Sequence, residues 1–252
     1  MDPRLQEVIA AQPFPLLFAT IGGSHIYGFA SPDSDWDVRG VHVLPLKSVL
    51  GLSTSRETIE KLEKKDTFEL DLVTHDVKKF LGLLLKKNGY VLEQLYSPMV
   101  LATSPEHEEL KAIAKGCITK HHAHHYLGFA RTEWQQFVRA TPRIAKQLLY
   151  VLRVLLTGIH LVRTGEVEPD IKKLASSEKL AYVDELVAMK LAGRFAGEIP
   201  DDRFPFFEAE VDRLRAKLES EYAASRLRDG VSLETKEALD DLLVRARMKT
   251  LV

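Results

Sequence analysis

Residues 22–40 read GGSHIYGFASPDSDWDVRG, and the placement of glycines, serine and acids in that stretch governs what the rest of the chain must supply. Residues 35–43 (DWDVRGVHV) are predicted to form a strand, entered through the turn Ser31-Pro32-Asp33-Ser34. Successive side chains of a strand leave opposite faces, so Asp35 and Asp37 are expected on one face and Trp36 on the other, against an apolar core. Two carboxylates held close repel each other, and burying them without compensation is costly. A shared Mg²⁺ or Mn²⁺ removes the conflict, because hard cations prefer carboxylate oxygen. Just upstream, Gly22-Gly23-Ser24 follows a predicted buried strand at 16–21 (LLFATI) and precedes a short helix. Glycines let a phosphate approach the backbone, the N–H groups of a helix start attract anions, and Ser24 adds a hydroxyl donor. A phosphate cradle beside a carboxylate pair is what metal-assisted phosphoryl or nucleotidyl transfer requires. It is not a Walker A loop, since no Gly-Lys-Ser/Thr follows the glycines.

Such chemistry calls for a third carboxylate on a neighbouring strand. Residues 58–62 and 68–73 are predicted to be strands separated by the charged turn Glu63-Lys64-Lys65-Asp66. Asp71 interrupts the otherwise apolar second of these and is the leading candidate. Glu69, two residues earlier, shares its face and competes with it. From about residue 75 to 87 the period turns helical, with Val77, Phe80, Leu81 and Leu84 on one side. Asp76 is expected in the first turn of that helix, where an acid is favourable without any further role.

Beyond Pro105 nearly everything reads as helix, so an α+β unit over 1–104 and a helical unit over 105–252 are expected. Helices are predicted at 126–138, 143–162, 183–191, 207–222 and 233–248, the last after the N-cap Ser232. On the second of these, Lys146, Arg153 and His160 recur every seven residues, with Tyr150 and Thr157 on the same stripe. On so apolar a helix the stripe either lines a cleft and holds phosphate, Arg153 foremost, or faces solvent. The cluster His121-His122-Ala123-His124-His125 offers an i,i+4 histidine pair, but no HExxH motif and no nearby acid completes a zinc site, so a structural or surface role is expected. Cys117 is expected to be structural.

The 252 residues carry 35 Lys and Arg against 36 Asp and Glu, which leaves a net charge of −1 and excludes a strongly basic nucleic-acid coat while allowing a local basic groove. With 45% hydrophobic and 28% charged residues the composition is that of a folded globular chain. One cysteine excludes an internal disulfide framework and fits a cytoplasmic location. The longest apolar stretch, 148–162, is interrupted by Arg153 and His160 and is shorter than the roughly 20 residues of a membrane span.

GGSHIYG followed by SPDSDWDVRG resembles the motif of the polymerase-β-type nucleotidyltransferase superfamily: a Gly-Ser turn, then Asp-x-Asp on a strand. More narrowly, Gly-Ser-His-x-Tyr-Gly, Ser-Asp-x-Asp-x-Arg-Gly, Leu-Tyr-Ser-Pro at 95–98 and Thr-Gly-Glu-Val-x-Pro-Asp-Ile near 164–171 are similar to nucleotidyltransferases of the RlaP (YcgL) type, some linked to RNA repair. The resemblance implies a nucleotidyltransferase core with a small mixed sheet. It also implies that Gly23 and Ser24 hold the triphosphate, that Asp35 and Asp37 bind two Mg²⁺ or Mn²⁺ ions, and that Asp71 completes the second metal site and polarises the acceptor hydroxyl. His25 and Tyr27 either contact phosphate or pack the turn, and Arg39 either pairs with an acid of the site or contacts phosphate. The expected reaction transfers NMP from an NTP such as ATP to an acceptor and releases pyrophosphate. An RNA end, such as that of a tRNA, is the first choice of acceptor, with phosphate contacts from Lys86-Lys87, from Arg139, Arg143 and Lys146, or from Arg213, Arg215 and Lys217. The alternatives are a protein side chain, as in toxin–antitoxin systems, a small molecule such as an aminoglycoside, or a non-catalytic module that binds nucleotide or RNA.

Overall fold

The computed structural model describes residues 1–52, 55–65, 68–193 and 197–250. In chain order the elements begin with α1 (Arg4–Ala10), β1 (Leu16–Ile21), α2 (Ser24–Tyr27), β2 (Trp36–His42) and α3 (Leu46–Leu50). Next come β3 (Thr58–Lys65), β4 (Phe68–Asp76), α4 (Val77–Leu85), α5 (Gly89–Leu95), β5 (Val100–Ala102) and α6 (Pro105–Ala114). The remainder is α7 (His122–Arg139), α8 (Ala145–Thr164), α9 (Ile171–Glu178), α10 (Tyr182–Leu191), α11 (Phe204–Ala224) and α12 (Leu233–Met248). By contacts the chain forms two compact units. The first comprises Met1–Gly23, Asp33–Cys117 and Gly230–Val252, and the second Ser24–Pro32 and Ile118–Asp229.

The first unit is built on a five-stranded mixed sheet of order β3-β4-β2-β1-β5. Only β2 and β4 pair in parallel; the other neighbours are antiparallel. Alternation along β4 sets its two faces. Phe68, Leu70 and Leu72 are buried with Val38, Ala19 and Ile21, and Leu5 and Val8 of α1 cover them. Trp36 packs against this cluster, as expected of the residue between the two acids. On the opposite face Phe18 meets Phe80 of α4 edge-on and stacks on His107 of α6 at 4.3 Å between centroids. That face also carries Asp37, Arg39, Glu69 and Asp71, at the end the helices leave open.

Asp76 ends β4 and caps α4, accepting from the Lys78 N–H at 2.9 Å. Its other oxygen accepts from the Leu44 N–H at 3.2 Å. Arg247, on α12, donates to Asp76 at 2.5 Å and to the Leu44 carbonyl at 2.7 Å, with both side chains buried. A buried pair of this kind stabilises only because hydrogen bonds satisfy both members. Ser232 caps α12 as the sequence predicts, accepting from the Thr235 N–H at 3.2 Å.

In the second unit α8 is the central helix, packed by α7, α9, α10 and α11. It ends where Gly165 adopts φ 79°, the left-handed conformation that favours glycine. It runs for 20 residues, as long as the predicted 143–162 helix but two residues further on, and has the length and hydropathy of a membrane span; 78% of its most apolar window is buried inside the protein, as in a core helix.

Several local expectations need correction. β2 starts at Trp36, so Asp35 is the residue before the strand rather than its first member. Glu63, Lys64 and Lys65 continue β3 instead of turning, because Leu62 to Lys65 stay in antiparallel register with Asp71 to Phe68; Asp66 lies outside the described residues. His75 still belongs to β4, since the helix cannot begin before the Asp76 cap. The weak patterns of α1, α3, α5 and β5 escaped sequence reading.

Candidate functional site

The residues that carry polar chemistry in the first unit meet where β1 ends beside the start of β2. The Gly22 N–H donates to the Asp37 carbonyl at 2.8 Å and ties the glycine turn to β2. Gly23 then adopts φ +61°, and a Cβ there would fall 1.7 Å from Asp37 Oδ2. Only glycine leaves room for that carboxylate and tolerates the left-handed backbone.

The parallel register of β2 and β4 places Asp37 directly opposite Asp71. Adjacent strands direct paired residues to the same face, so two like charges stand side by side. Arg39, two residues along β2, resolves the repulsion. Its Nη2 donates to Asp37 Oδ1 and to Asp71 Oδ2, both at 2.7 Å. Its Nη1 donates to the carbonyls of Asp71 at 2.6 Å and Val38 at 3.0 Å, and its Nε donates to Tyr90 Oη at 3.1 Å. Burial by itself would lower the Arg39 pKa, but the phenol of Tyr90 and the carboxylates of Asp37 and Asp71 outweigh it and raise the value above the ordinary one. Burial likewise raises the Tyr90 pKa, against the opposing pull of Arg39. Arg39 is therefore a fixed cation across the acid pair, one of the two roles its sequence position left open.

Asp35 and Asp71 line one cleft with Leu62, Lys64 and Glu69. Glu69 pairs with Lys64, whereas Asp71 stands opposite Asp37 and shares Arg39 with it. Asp76 stays apart, buried with Arg247. Tyr90 is the site residue that sequence reasoning missed. It lies 51 residues from Arg39, on α5, where the one available signal was Asn88, whose side chain accepts from the Tyr90 N–H at 2.9 Å as an N-cap.

Ser24 opens α2 with its hydroxyl buried and without a partner among the described residues. In the second unit Tyr27 is buried, and the Arg153 guanidinium stands 4.0 Å from its ring centroid, a cation–π contact. Tyr150 packs edge-on against Tyr27 and Phe29. The stripe on α8 thus divides: Arg153 and Thr157 are buried, His160 is half-buried and Lys146 is exposed. Burial, followed by the charge of Arg153, lowers the His125 pKa. His25 is half-buried in α2. His121 stacks on His124 and accepts or donates at 3.2 Å to Tyr222, so this histidine cluster is engaged in packing. Cys117 is buried. Of the basic clusters, Arg143 pairs with Asp201, Arg213 with Glu210, Arg215 with Asp212 and Lys217 with Glu178.

Among the described residues no group of three or more His, Cys, Asp or Glu is gathered closely enough to form a metal cluster. The donor set nevertheless fits a hard divalent cation. Its ligands are carboxylate oxygens, and Asp37 and Asp71 already converge on one positive charge, that of Arg39.

Comparison with known proteins follows the same line. The family model RlaP, described as the RNA repair pathway DNA polymerase beta family, matches residues 1–245. The chain is 37% identical over 176 residues to the uncharacterized protein MJ0002 of Methanocaldococcus jannaschii, covering 68% of this chain and 70% of that one. It is 26% identical over 222 residues to the uncharacterized protein YcgL of Bacillus subtilis, covering 86% and 82%. Among solved structures, a nucleotidyltransferase-like protein from Exiguobacterium sibiricum aligns over 98% of this chain and 76% of its own, with 13% identity and a TM-score of 0.34.

Proposed function

Because the chain belongs to the RlaP family, a polymerase-β-type nucleotidyltransferase family, we propose that it transfers NMP from an NTP to a hydroxyl at an RNA end. The observation that carries this reading is the pair Asp37 and Asp71, side by side on parallel strands, with the Asp37 carboxylate seated against a glycine turn that admits it only for lack of a side chain. The acceptor oxygen bonds to the α-phosphorus, the bond to the β,γ-diphosphate breaks, and pyrophosphate leaves. Asp35, Asp37 and Asp71 are the residues that would hold Mg²⁺ or Mn²⁺, which when bound supplies charge neutralisation at the phosphates and lowers the pKa of the attacking hydroxyl.

This chain's own residues do the rest. In this reading Gly23 and Ser24 hold the triphosphate, Ser24 through its buried hydroxyl. In the same reading Asp71 polarises the acceptor hydroxyl, and Arg39, bonded to both carboxylates, holds Asp37 and Asp71 in register. An RNA acceptor is supported by the description of the family as an RNA repair pathway family.

The test is pyrophosphate release with each of the four NTPs, total RNA and Mg²⁺ or Mn²⁺, for the wild type and for Asp35→Ala/Asp37→Ala. Loss of release in the double variant, with label on RNA in the wild type, is expected. Equal release by both proteins removes the reading. Label on protein alone, or on a small molecule, would move the acceptor to that class.

A further inference from the structure

A displacement at phosphorus places the attacking oxygen opposite the leaving group, so the acceptor must reach the α-phosphorus from the side away from the pyrophosphate. The sheet register shows which side that is. Gly22 is tied to Asp37, Asp37 stands opposite Asp71, and Asp71 stands opposite Leu62 of β3. These four residues form one row across the sheet, with the glycine turn at one end and β3 at the other. Paired residues of neighbouring strands share a face, so Leu62 points to the same side as the acids.

With the triphosphate on the glycine turn, the acceptor lies over β3. Leu62 is 81% exposed there, a large apolar side chain against a row of acids. Asp35, Leu62, Lys64, Glu69 and Asp71 line a cleft of about 280 Å³. That volume falls just below the roughly 300–1,000 Å³ typical of small-ligand sites, the scale of a single terminal nucleoside rather than a longer segment. Lys64 leaves the same face two residues on and pairs with Glu69. Both side chains are exposed, and a solvent-exposed ion pair of this kind is weak, so a phosphate can displace Glu69 from the lysine.

We propose that this cleft between β3 and β4 is the acceptor subsite: Leu62 packs under the 3′-terminal nucleoside of an RNA, Lys64 meets its phosphate, and the terminal hydroxyl is presented at Asp71. The assignment rests on the nucleotidyl-transfer reading of the acids and goes beyond it by placing the acceptor on named residues of β3.

Two measurements test it. A benzophenone amino acid is placed at position 62, or at the exposed control position 50, and irradiated with a 5′-labelled RNA oligonucleotide carrying a free 3′-hydroxyl. Cross-linking from position 62 to the 3′-terminal nucleotide, and none from position 50, is expected. In steady-state extension of the same oligonucleotide, Leu62→Ala should raise the KM for RNA about tenfold and leave the KM for NTP unchanged. Lys64→Ala should raise the RNA KM as well. Extension by the wild type together with cross-links absent from position 62, or mapped away from the 3′ end, overturns the subsite and leaves the transferase reading standing. Label that goes to protein with none on RNA overturns the RNA acceptor and this subsite with it.

Discussion

Gly22 and Gly23 are neighbours with opposite expected responses to the same substitution. In Gly23→Ala the new Cβ would lie 1.7 Å from Asp37 Oδ2, whereas real Cβ atoms stay beyond 3.0 Å, so the carboxylate has to retreat by about 1.3 Å. A displacement on the order of 1 Å at reacting groups costs roughly 10²-fold in rate. The backbone at φ +61° adds on the order of 1–2 kcal/mol of strain for a residue with a Cβ. In Gly22→Ala the nearest atoms, Arg39 Cγ and Asp37 Cβ, lie at 3.5 and 3.8 Å, ordinary contact distances. Pyrophosphate release should therefore fall on the order of 10²-fold in Gly23→Ala with a modest drop in Tm, while Gly22→Ala stays within a few-fold of the wild type. The assay is NTP turnover with total RNA, alongside a thermal melt of each variant. Comparable losses in the two variants, or near-wild-type turnover by Gly23→Ala, would refute the placement of the Asp37 carboxylate over the Gly23 backbone.

Other consequences can be measured on the same protein. Tyr90→Phe removes the acceptor for Arg39 Nε and leaves that buried N–H unsatisfied, a cost of about 1–3 kcal/mol; urea denaturation should show it, and turnover should fall as Arg39 loosens its hold on the acids. Arg247→Met strands the buried Asp76 carboxylate, which costs about 3–5 kcal/mol and should lower Tm on the order of 10 °C; a melt indistinguishable from the wild type would show that the pair carries no stability. Burial, against the pull of Asp76, holds the His42 pKa down to about 4 from 6.5. Between those values the unfolded chain binds the extra proton, so stability should fall as pH drops through this window, by on the order of 3 kcal/mol, and level off below it. His42→Gln should flatten that slope, and an unchanged slope would exclude His42 as its source.

Much of the molecule was legible in short-range pattern. The strand at 16–21, the 233–248 helix after Ser232 and the end of α8 before Gly165 are each set by neighbours a few residues apart: an apolar β-branched run, a cap and a left-handed glycine. The acids Asp35 and Asp37 were visible for the same reason. Glu63 to Lys65 misled, because a run of charges reads as a turn until pairing with β4 keeps it extended. Tyr90 was invisible, because nothing near it in sequence says that Arg39 needs an acceptor.

Local periodicity and turn chemistry are properties of a window, and they were enough to establish the strands β1, β2 and β4, most of the helices, the glycine turn and the first two carboxylates. Which acid of β4 stands beside Asp37 depends on the register of two strands about thirty residues apart, and hydrogen bonding across the sheet selects Asp71 and sends Glu69 to Lys64. The return of α12 to the first unit through Arg247 and Asp76 is likewise a matter of packing, because the energy of a buried ion pair exists only once both partners have left water.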